Sequence, residues 1–211
     1  MRLGICGGSF DPFHRGHLDP VLAARATMQW DRILYVPACL QPFKPERAIA
    51  SAYDRFAMAV LATESRDDLG VSKLELERGS ISYSVETLEA LRTEMPNATF
   101  DWIIGDDNLS RLDRWKSIDR IFELANFVVL SRLTSGAGEV ALVPELLQSR
   151  IGSARARSRC GTIIFAENRT VPVSSTEIRE RVRDGRPIDE FVDPRVSRYI
   201  HQYQLYREAH S

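Results

Sequence analysis

Two histidines, His14 and His17, close a glycine-bearing stretch at the start of a 211-residue chain, MRLGICGGSFDPFHRGH. Imidazole donates hydrogen bonds and carries charge when the pH is near neutral. Gly7 and Gly8 stand ahead of the pair, followed by Ser9, Phe10, Asp11 and Pro12, and Arg15 and Gly16 lie between the two rings in sequence. Glycine lets a backbone turn sharply and approach a ligand closely. Leu3 to Cys6 reads as a short apolar strand, and the Ala-rich segment after Gly16 as a helix. A strand leading through glycines into a helix start is how an α/β fold presents a phosphate site, because the first helical amides are unpaired and carry partial positive charge. Neither common phosphate loop is present: there is no GxxxxGK(S/T) and no GxGxxG spacing. The plainer alternative is a glycine turn with two solvated histidines.

A second cluster is Ser174-Ser175-Thr176-Glu177-Ile178-Arg179. Three hydroxyls at a helix start, with an arginine one turn in, make an anion site, since a guanidinium binds two phosphate oxygens at once. The same residues also suit an ordinary N-cap with a surface arginine. A third is Gly105-Asp106-Asp107-Asn108, directly after the apolar run Thr99 to Ile104. Ligands of open α/β sheets bind outside the carboxyl ends of strands, where a carboxylate suits ribose hydroxyls; an Asp-rich helix cap is the rival explanation.

The elements that must position these groups alternate. After the first strand, a helix starts near Arg15 to His17 and runs to Trp30, with Leu18, Val21, Leu22 and Ala26 at helical spacing. Arg32–Pro37 is a second strand, so a right-handed crossover and a parallel sheet follow. Ser51, with Asp54 at the capping-box position, caps a helix over Ala52–Glu64 that carries Phe56, Val60 and Leu61 on one face. Val71–Glu77 alternates as a third strand, and Ser82 or Ser84 caps a helix bearing Val85, Leu88 and Leu91 that ends before Pro96. Thr99–Ile104 is a fourth strand, Asp106–Leu112 a short helix or turn, Ile118–Leu124 a helix and Asn126–Ser131 a fifth strand. A loop over Thr134–Gly138, a helical Pro144–Ile151 and a polar, basic loop over Gly152–Arg159 precede a sixth strand, Gly161–Phe165. Ser174 or Ser175 caps a helix through Arg183, and Asp193-Pro194 opens a last one to about Tyr206. The fold class is α/β, a doubly wound, Rossmann-like parallel sheet in a single domain over residues 1–211. About residues 171–211 form a small helical C-terminal lobe.

Hydrophobic residues at 44% and charged residues at 27% are ordinary for a soluble globular chain, and a net charge of -1 offers nucleic acid no basic field. Cys6, Cys39 and Cys160 are widely spaced and form neither a disulfide framework nor a zinc pattern, which fits a reducing cytoplasm. Met1 leads straight into a strand and leaves no room for a signal peptide. No apolar run approaches the ~20 residues needed to cross a bilayer. Arg150, Arg155, Arg157 and Arg159 read as a solvated basic loop, and His201 and His210 as isolated side chains. The sequence leaves the oligomeric state open, a homo-oligomer included.

The pattern GGSFDPxHxGH resembles the signature of the HxGH nucleotidyltransferase superfamily, and with His14 in its first position it is most similar to the bacterial nicotinate mononucleotide adenylyltransferases. Phosphopantetheine adenylyltransferases usually carry Thr at that place. Separated blocks extend the resemblance from about Leu3 to Arg179. VSSTEIR stands for the family's ISSTxIR, and Gly105, Asp107 and Leu109 match its GxDxL. Val36-Pro37 and Lys44 match its PPHK after a VP-ended strand, with Gln41 and Phe43 replacing Pro and His. The stretch from Gly79 to Leu88 resembles GxSYTxDTL, with Ser84 for Thr, Glu86 for Asp and Ile81 extra. Trp115-Lys116 matches a tryptophan that packs on a pyridine ring, a core aromatic being the alternative. Residues 134–160 and the last helix match no motif.

The resemblance implies adenylyl transfer from ATP to nicotinate mononucleotide, giving nicotinate adenine dinucleotide and pyrophosphate in NAD biosynthesis. It assigns phosphate handling to His14 and His17, and the leaving pyrophosphate to Lys44 and Arg179. ATP would also meet Gly7, Gly8, Ser9, Phe10, Gly16, Gly105, Asp107, Ser174, Ser175 and Thr176, and the acceptor Tyr83, Ser84, Trp115 and Lys116. Mg²⁺ would arrive with ATP rather than occupy a protein metal site. Two other readings stay open: an adenylyltransferase for nicotinamide mononucleotide or phosphopantetheine, and a nucleotide-binding module without catalysis.

Overall fold

In the computed structural model, which describes residues 1–40, 49–131, 142–154, 160–168 and 171–207, seven parallel strands form one sheet in the order β3-β2-β1-β4-β5-β7-β6. They are β1 (Arg2–Gly8), β2 (Arg32–Pro37), β3 (Leu69–Val71), β4 (Thr99–Gly105), β5 (Ala125–Leu130), β6 (Ile151–Gly152) and β7 (Ile163–Ala166). The helices are α1 (Arg15–Met28), α2 (Ala52–Thr63), α3 (Leu74–Arg78), α4 (Ser84–Glu94), α5 (Ile118–Leu124), α6 (Ser175–Arg183) and α7 (Pro194–Gln202). Single 3-10 segments cover Asp106–Arg114 and Glu145–Arg150.

Strand alternation sorts the side chains into two buried layers, as a sheet covered on both faces requires. Phe100, Trp102, Ile104, Phe127 and Val129 join Val85 and Leu88 of α4 and Ile121 of α5. Ile103, Val128, Leu130 and Ile164 face the other way, with Val21 and Met28 of α1 and Met58 of α2. Ile178, Val182, Val196, Ile200 and Tyr206 lie in that second layer, so α6 and α7 share a core with α1 and α2. The strand order runs outward from β1 in one direction and from β4 in the other, which places a crevice outside the carboxyl ends of these two neighbours.

Several local expectations change. The span Val71–Glu77 splits: only Leu69–Val71 is strand, and Leu74–Arg78 is helix. Its Leu–Glu alternation imitates a strand, but Gly79 adopts φ 66 and its N–H bonds back to the carbonyls of Glu75 and Leu76, closing a helical turn. Lys73 also pairs with Glu77 at 2.7 Å, one helical turn away. Neither Ser82 nor Ser84 caps α4; Tyr83 holds the N-cap position without a side-chain cap bond. A seventh, two-residue strand appears at Ile151–Gly152, too short to leave a period in the sequence, and the segment before it is 3-10 rather than α-helical. α1 ends at Met28 because Trp30 leaves the helix to bury its ring and donate to Asp101 at 2.8 Å. Ala26 is accordingly exposed. On α2 the buried face is Arg55, Met58, Ala59 and Ala62, whereas Phe56, Val60 and Leu61 are only half-buried. The last helix stops at Gln202, with left-handed residues at Gln204 and Tyr206. Among the described residues no helix is long and apolar enough to cross a membrane.

Candidate active site

β1 runs two residues further than its apolar run, so Gly7 and Gly8 are strand residues paired with Val36 and Pro37. The turn is made instead by Phe10, at φ 53, and by a cis Asp11–Pro12 peptide. A left-handed phenylalanine costs roughly 1–2 kcal/mol. Burial offsets it: the Phe10 ring packs edge-on against Tyr35 at 5.8 Å and His17 at 5.0 Å and lies 5.3 Å from Phe13. His14 then caps α1, 6% exposed, with its ring stacked on that of His17 at 3.7 Å. The His14 backbone N–H donates to Nδ1 of His17 at 3.3 Å. A backbone N–H can only donate, so Nδ1 accepts and the neutral His17 ring carries its proton on Nε2. The Tyr35 hydroxyl, pushed well above its ordinary pKa by burial, donates to the His17 carbonyl at 3.2 Å. Gly16 admits this packing: a Cβ there would lie 2.9 Å from the His14 ring and 3.0 Å from Val173.

The second cluster meets the first. Ser174 is the N-cap of α6 and accepts from the Glu177 amide at 3.1 Å. Ser175 Oγ donates to the Pro12 carbonyl at 3.3 Å. Arg179 donates from Nη1 to the Asp11 carbonyl at 2.7 Å and from Nη2 to Thr176 Oγ1 at 3.2 Å. Two helix N-termini, two imidazoles, three hydroxyls and a guanidinium thus converge beside Asp11-Pro12, a donor-rich mouth suited to an extended polyphosphate. Gly105 and Asp107 share the carboxyl edge of the sheet with β1, Gly105 opening the 3-10 segment and Asp107 exposed, accepting from Asn108 at 3.1 Å.

Tyr83, Ser84, Trp115 and Lys116 form a separate group. Lys116 pairs with Glu86 at 2.6 Å and lies 4.1 Å over the Tyr83 ring. Arg78 reaches the other Glu86 oxygen at 3.3 Å. Trp115 is half-buried, edge-on to Phe127 at 5.7 Å. Beneath lies Glu75, whose carboxyl is pushed upward by burial and takes the Thr87 hydroxyl at 2.5 Å. A polar relay joins the two groups: Ser82 Oγ accepts from the Cys39 amide at 3.0 Å, and Arg55 donates to the carbonyls of Cys39 at 3.1 Å and Ser9 at 2.6 Å.

Lys44 and its neighbours Gln41, Pro42, Phe43 and Pro45 lie outside the described residues, as do Thr134–Gly138, Arg155, Arg157, Arg159 and His210. Arg150 is described and lies 4.2 Å over the Phe122 ring. Sequence reasoning missed Asp11 as a side chain, Tyr35, Arg55 and Tyr206. Asp11 stood inside the motif without a role, and the others pack by tertiary approach. The one available signal was a charged residue, Arg55, inside a helix with an apolar face.

The cytidylyltransferase-like family matches residues 5–181. A protein of Syntrophotalea carbinolica described as a "Probable nicotinate-nucleotide adenylyltransferase" is 38% identical over 213 residues, covering 98% of each chain. Another so described, of Gemmatimonas aurantiaca, is 38% identical over 99% of this chain and 93% of its own. The solved structure of Plasmodium falciparum nicotinic acid mononucleotide adenylyltransferase complexed with NaAD superposes with a TM-score of 0.69 at 17% identity over 97% of both chains, a likeness of fold. Full-length identity and the HxGH site place the chain in the cytidylyltransferase-like family, among its nicotinate-nucleotide adenylyltransferases.

Proposed function

We propose that this chain transfers the adenylyl group of ATP to nicotinate mononucleotide, forming nicotinate adenine dinucleotide and pyrophosphate. The observation that carries this reading is the meeting of the His14–His17 pair with the start of α6 at Asp11-Pro12. Full-length relatives described as nicotinate-nucleotide adenylyltransferases support the same substrates. The acceptor phosphate attacks the α-phosphorus in line; a P–O bond forms, the bond to the β-phosphate oxygen breaks, and pyrophosphate leaves. That nucleophile is ionised at neutral pH and needs no general base, so the protein's work is positioning and charge stabilisation.

In this reading the Nε2–H of His17 faces the charge that develops on the transferring phosphoryl group, and His14 holds a neighbouring phosphate. Arg179 and Lys44 take the pyrophosphate side. Gly7 and Gly8 end β1 at the phosphate side, Ser9 and Phe10 lead into the phosphate loop, and Gly16 lets the start of α1 close against His14. Ser174, Ser175 and Thr176 supply hydroxyls and helix amides, and Gly105 and Asp107 take the ribose. Mg²⁺ enters as part of the Mg·ATP substrate. Trp115 stacks on the pyridine ring, while Tyr83, the amide of Ser84 and the Lys116 backbone offer donors to the nicotinate carboxylate.

The deciding assay is pyrophosphate release from ATP with nicotinate mononucleotide, nicotinamide mononucleotide and phosphopantetheine. The nicotinate form should exceed the amide in kcat/KM by at least about tenfold, or ~1.4 kcal/mol. Equal values would remove the nicotinate-specific reading, and ATP binding without pyrophosphate release would remove the enzyme.

A further inference from the structure

We propose that Tyr206, from the far end of the chain, is a positioning residue for the ATP half of the site: its hydroxyl holds the Asp11 carboxylate, and through it the phosphate loop. This inference rests on the function proposed above.

The carboxylate of Asp11 is 3% exposed and takes three donors. Tyr206 O–H reaches Oδ1 at 2.7 Å, the Ala50 amide the same oxygen at 3.2 Å, and the Ile49 amide Oδ2 at 2.8 Å. On the main chain of the same residue, the Asp11 carbonyl receives Arg179, and the next carbonyl, that of Pro12, receives Ser175. One residue therefore fixes the loop by its side chain and docks α6 by its backbone. A shift of the carboxylate moves the carbonyl that Arg179 holds. Hydrogen bonds to a buried charge are strong, and an oxygen left without its donor is costly.

The backbone is bent to deliver this hydroxyl. After α7 the chain takes left-handed conformations at Gln204, φ 51, and Tyr206, φ 66, and Leu205 bonds back to the Ile200 carbonyl at 3.0 Å. Non-glycine residues adopt that region at a cost, and here it turns the Tyr206 ring inward to 8% exposure. α7 is itself registered on α2, Tyr199 donating to Asp54 at 2.9 Å and Arg195 to Glu64 at 2.6 Å. Burial, together with the charge of Asp11, pushes the Tyr206 hydroxyl far above its ordinary pKa, so it stays a donor at working pH. Arg55, 2% exposed, supplies the compensating charge near Asp11 and ties Ser9, Cys39 and Ala50 to the same knot. The three donors on the Asp11 carboxylate include none of Tyr83, Trp115 or Lys116, and the relay toward Ser82 leaves from Arg55 and not from Tyr206, so the effect of losing the Tyr206 hydroxyl should fall on ATP far more than on the acceptor.

The test compares full-length wild type, Tyr206→Phe, Asp11→Asn and the double variant, with ATP and nicotinate mononucleotide varied separately and α,β-methylene ATP binding measured by calorimetry. Tyr206→Phe keeps the ring and removes only the donor. It should raise KM for ATP and Kd for the analogue about three- to tenfold, leave KM for the acceptor within about twofold, and keep the thermal midpoint within a few degrees. Because Tyr206 acts through Asp11, the double variant should be no worse than Asp11→Asn alone within about twofold. Unchanged ATP parameters in Tyr206→Phe overturn the proposal. So does an equal loss for both substrates that disappears on cooling, which marks a merely structural contact. Failure of the wild type to release pyrophosphate overturns the function instead, and the calorimetric ratio still decides this inference.

Discussion

His17 and Lys116 are both assigned to substrate, yet their surroundings differ sharply. The His17 ring packs against Phe10 and Phe13 and stacks on His14, and its carbonyl is held by the buried Tyr35 hydroxyl. Lys116 stands exposed and pairs with a half-buried Glu86 at the surface. At the ATP end, side chains are pinned by aromatic packing and by bonds to backbone carbonyls that cannot rotate away. At the acceptor end, they are held by flexible ion pairs that salt screens. Charge development on phosphorus demands fixed donors, because donors that must reorganise in the transition state lose most of their effect. Binding a ring and a carboxylate tolerates looser walls.

That contrast orders the expected effects. His17→Ala should lower kcat by about 10²–10³, the usual cost of one preorganised donor, with little rise in KM for ATP. Steady-state kinetics on the folded variant check it, and a near-normal kcat would place the developing charge elsewhere. Trp115→Ala should raise KM for either mononucleotide about tenfold while keeping most of the nicotinate-to-nicotinamide ratio, because stacking does not distinguish acid from amide. A collapsed ratio would make the indole a specificity element instead.

Lys116→Ala should do far less. The bond to Glu86 raises the pKa of the ammonium, but an exposed pair contributes little: acceptor kcat/KM should fall by under about threefold, and less at high salt. A loss as large as that of His17→Ala would show that the two ends are not built differently. The smallest effect is a sign. Glu75 is the buried exception at the acceptor end, its pKa raised by burial. A folded-state pKa above the unfolded one means the fold binds the proton more tightly, so stability is full below the ordinary glutamate range and falls as pH rises through the folded value. Glu75→Gln should therefore gain on the wild type in denaturation midpoint as pH increases from 4 to 8; a variant that loses ground to the wild type over that range would reverse the assignment.

The sequence is legible where the physics is local. The strand, loop and helix start that carry His14 and His17 sit within seventeen residues, and Ser174 caps α6 through an amide three residues on. Both are short-range patterns. Leu74-Glu75-Leu76-Glu77 is local too, but its alternation fits strand and helix alike, and only the left-handed Gly79 decides. Asp11 and Tyr206 bond across 195 positions, a distance at which no periodicity speaks. Arg55 was hidden for the opposite reason. Its helix has apolar residues on more than one side, and the face around Phe56 looked more hydrophobic than the one around Met58 that is buried. A guanidinium whose pKa is lowered by burial is tolerated there because three carbonyls converge on it.

The separation of the two ends is tested most directly by Arg179→Ala, assayed with saturating and limiting ATP against both mononucleotides. Among the described residues Arg179 bonds to the Asp11 carbonyl and to Thr176, both at the ATP end. Its loss should lower kcat/KM for ATP by about 10–10², with Arg179→Lys also impaired because a fork becomes a point charge. The ratio of kcat/KM for nicotinate over nicotinamide mononucleotide should stay within about twofold of the wild type. A changed ratio with ATP turnover preserved would contradict the account and move Arg179 to the acceptor side.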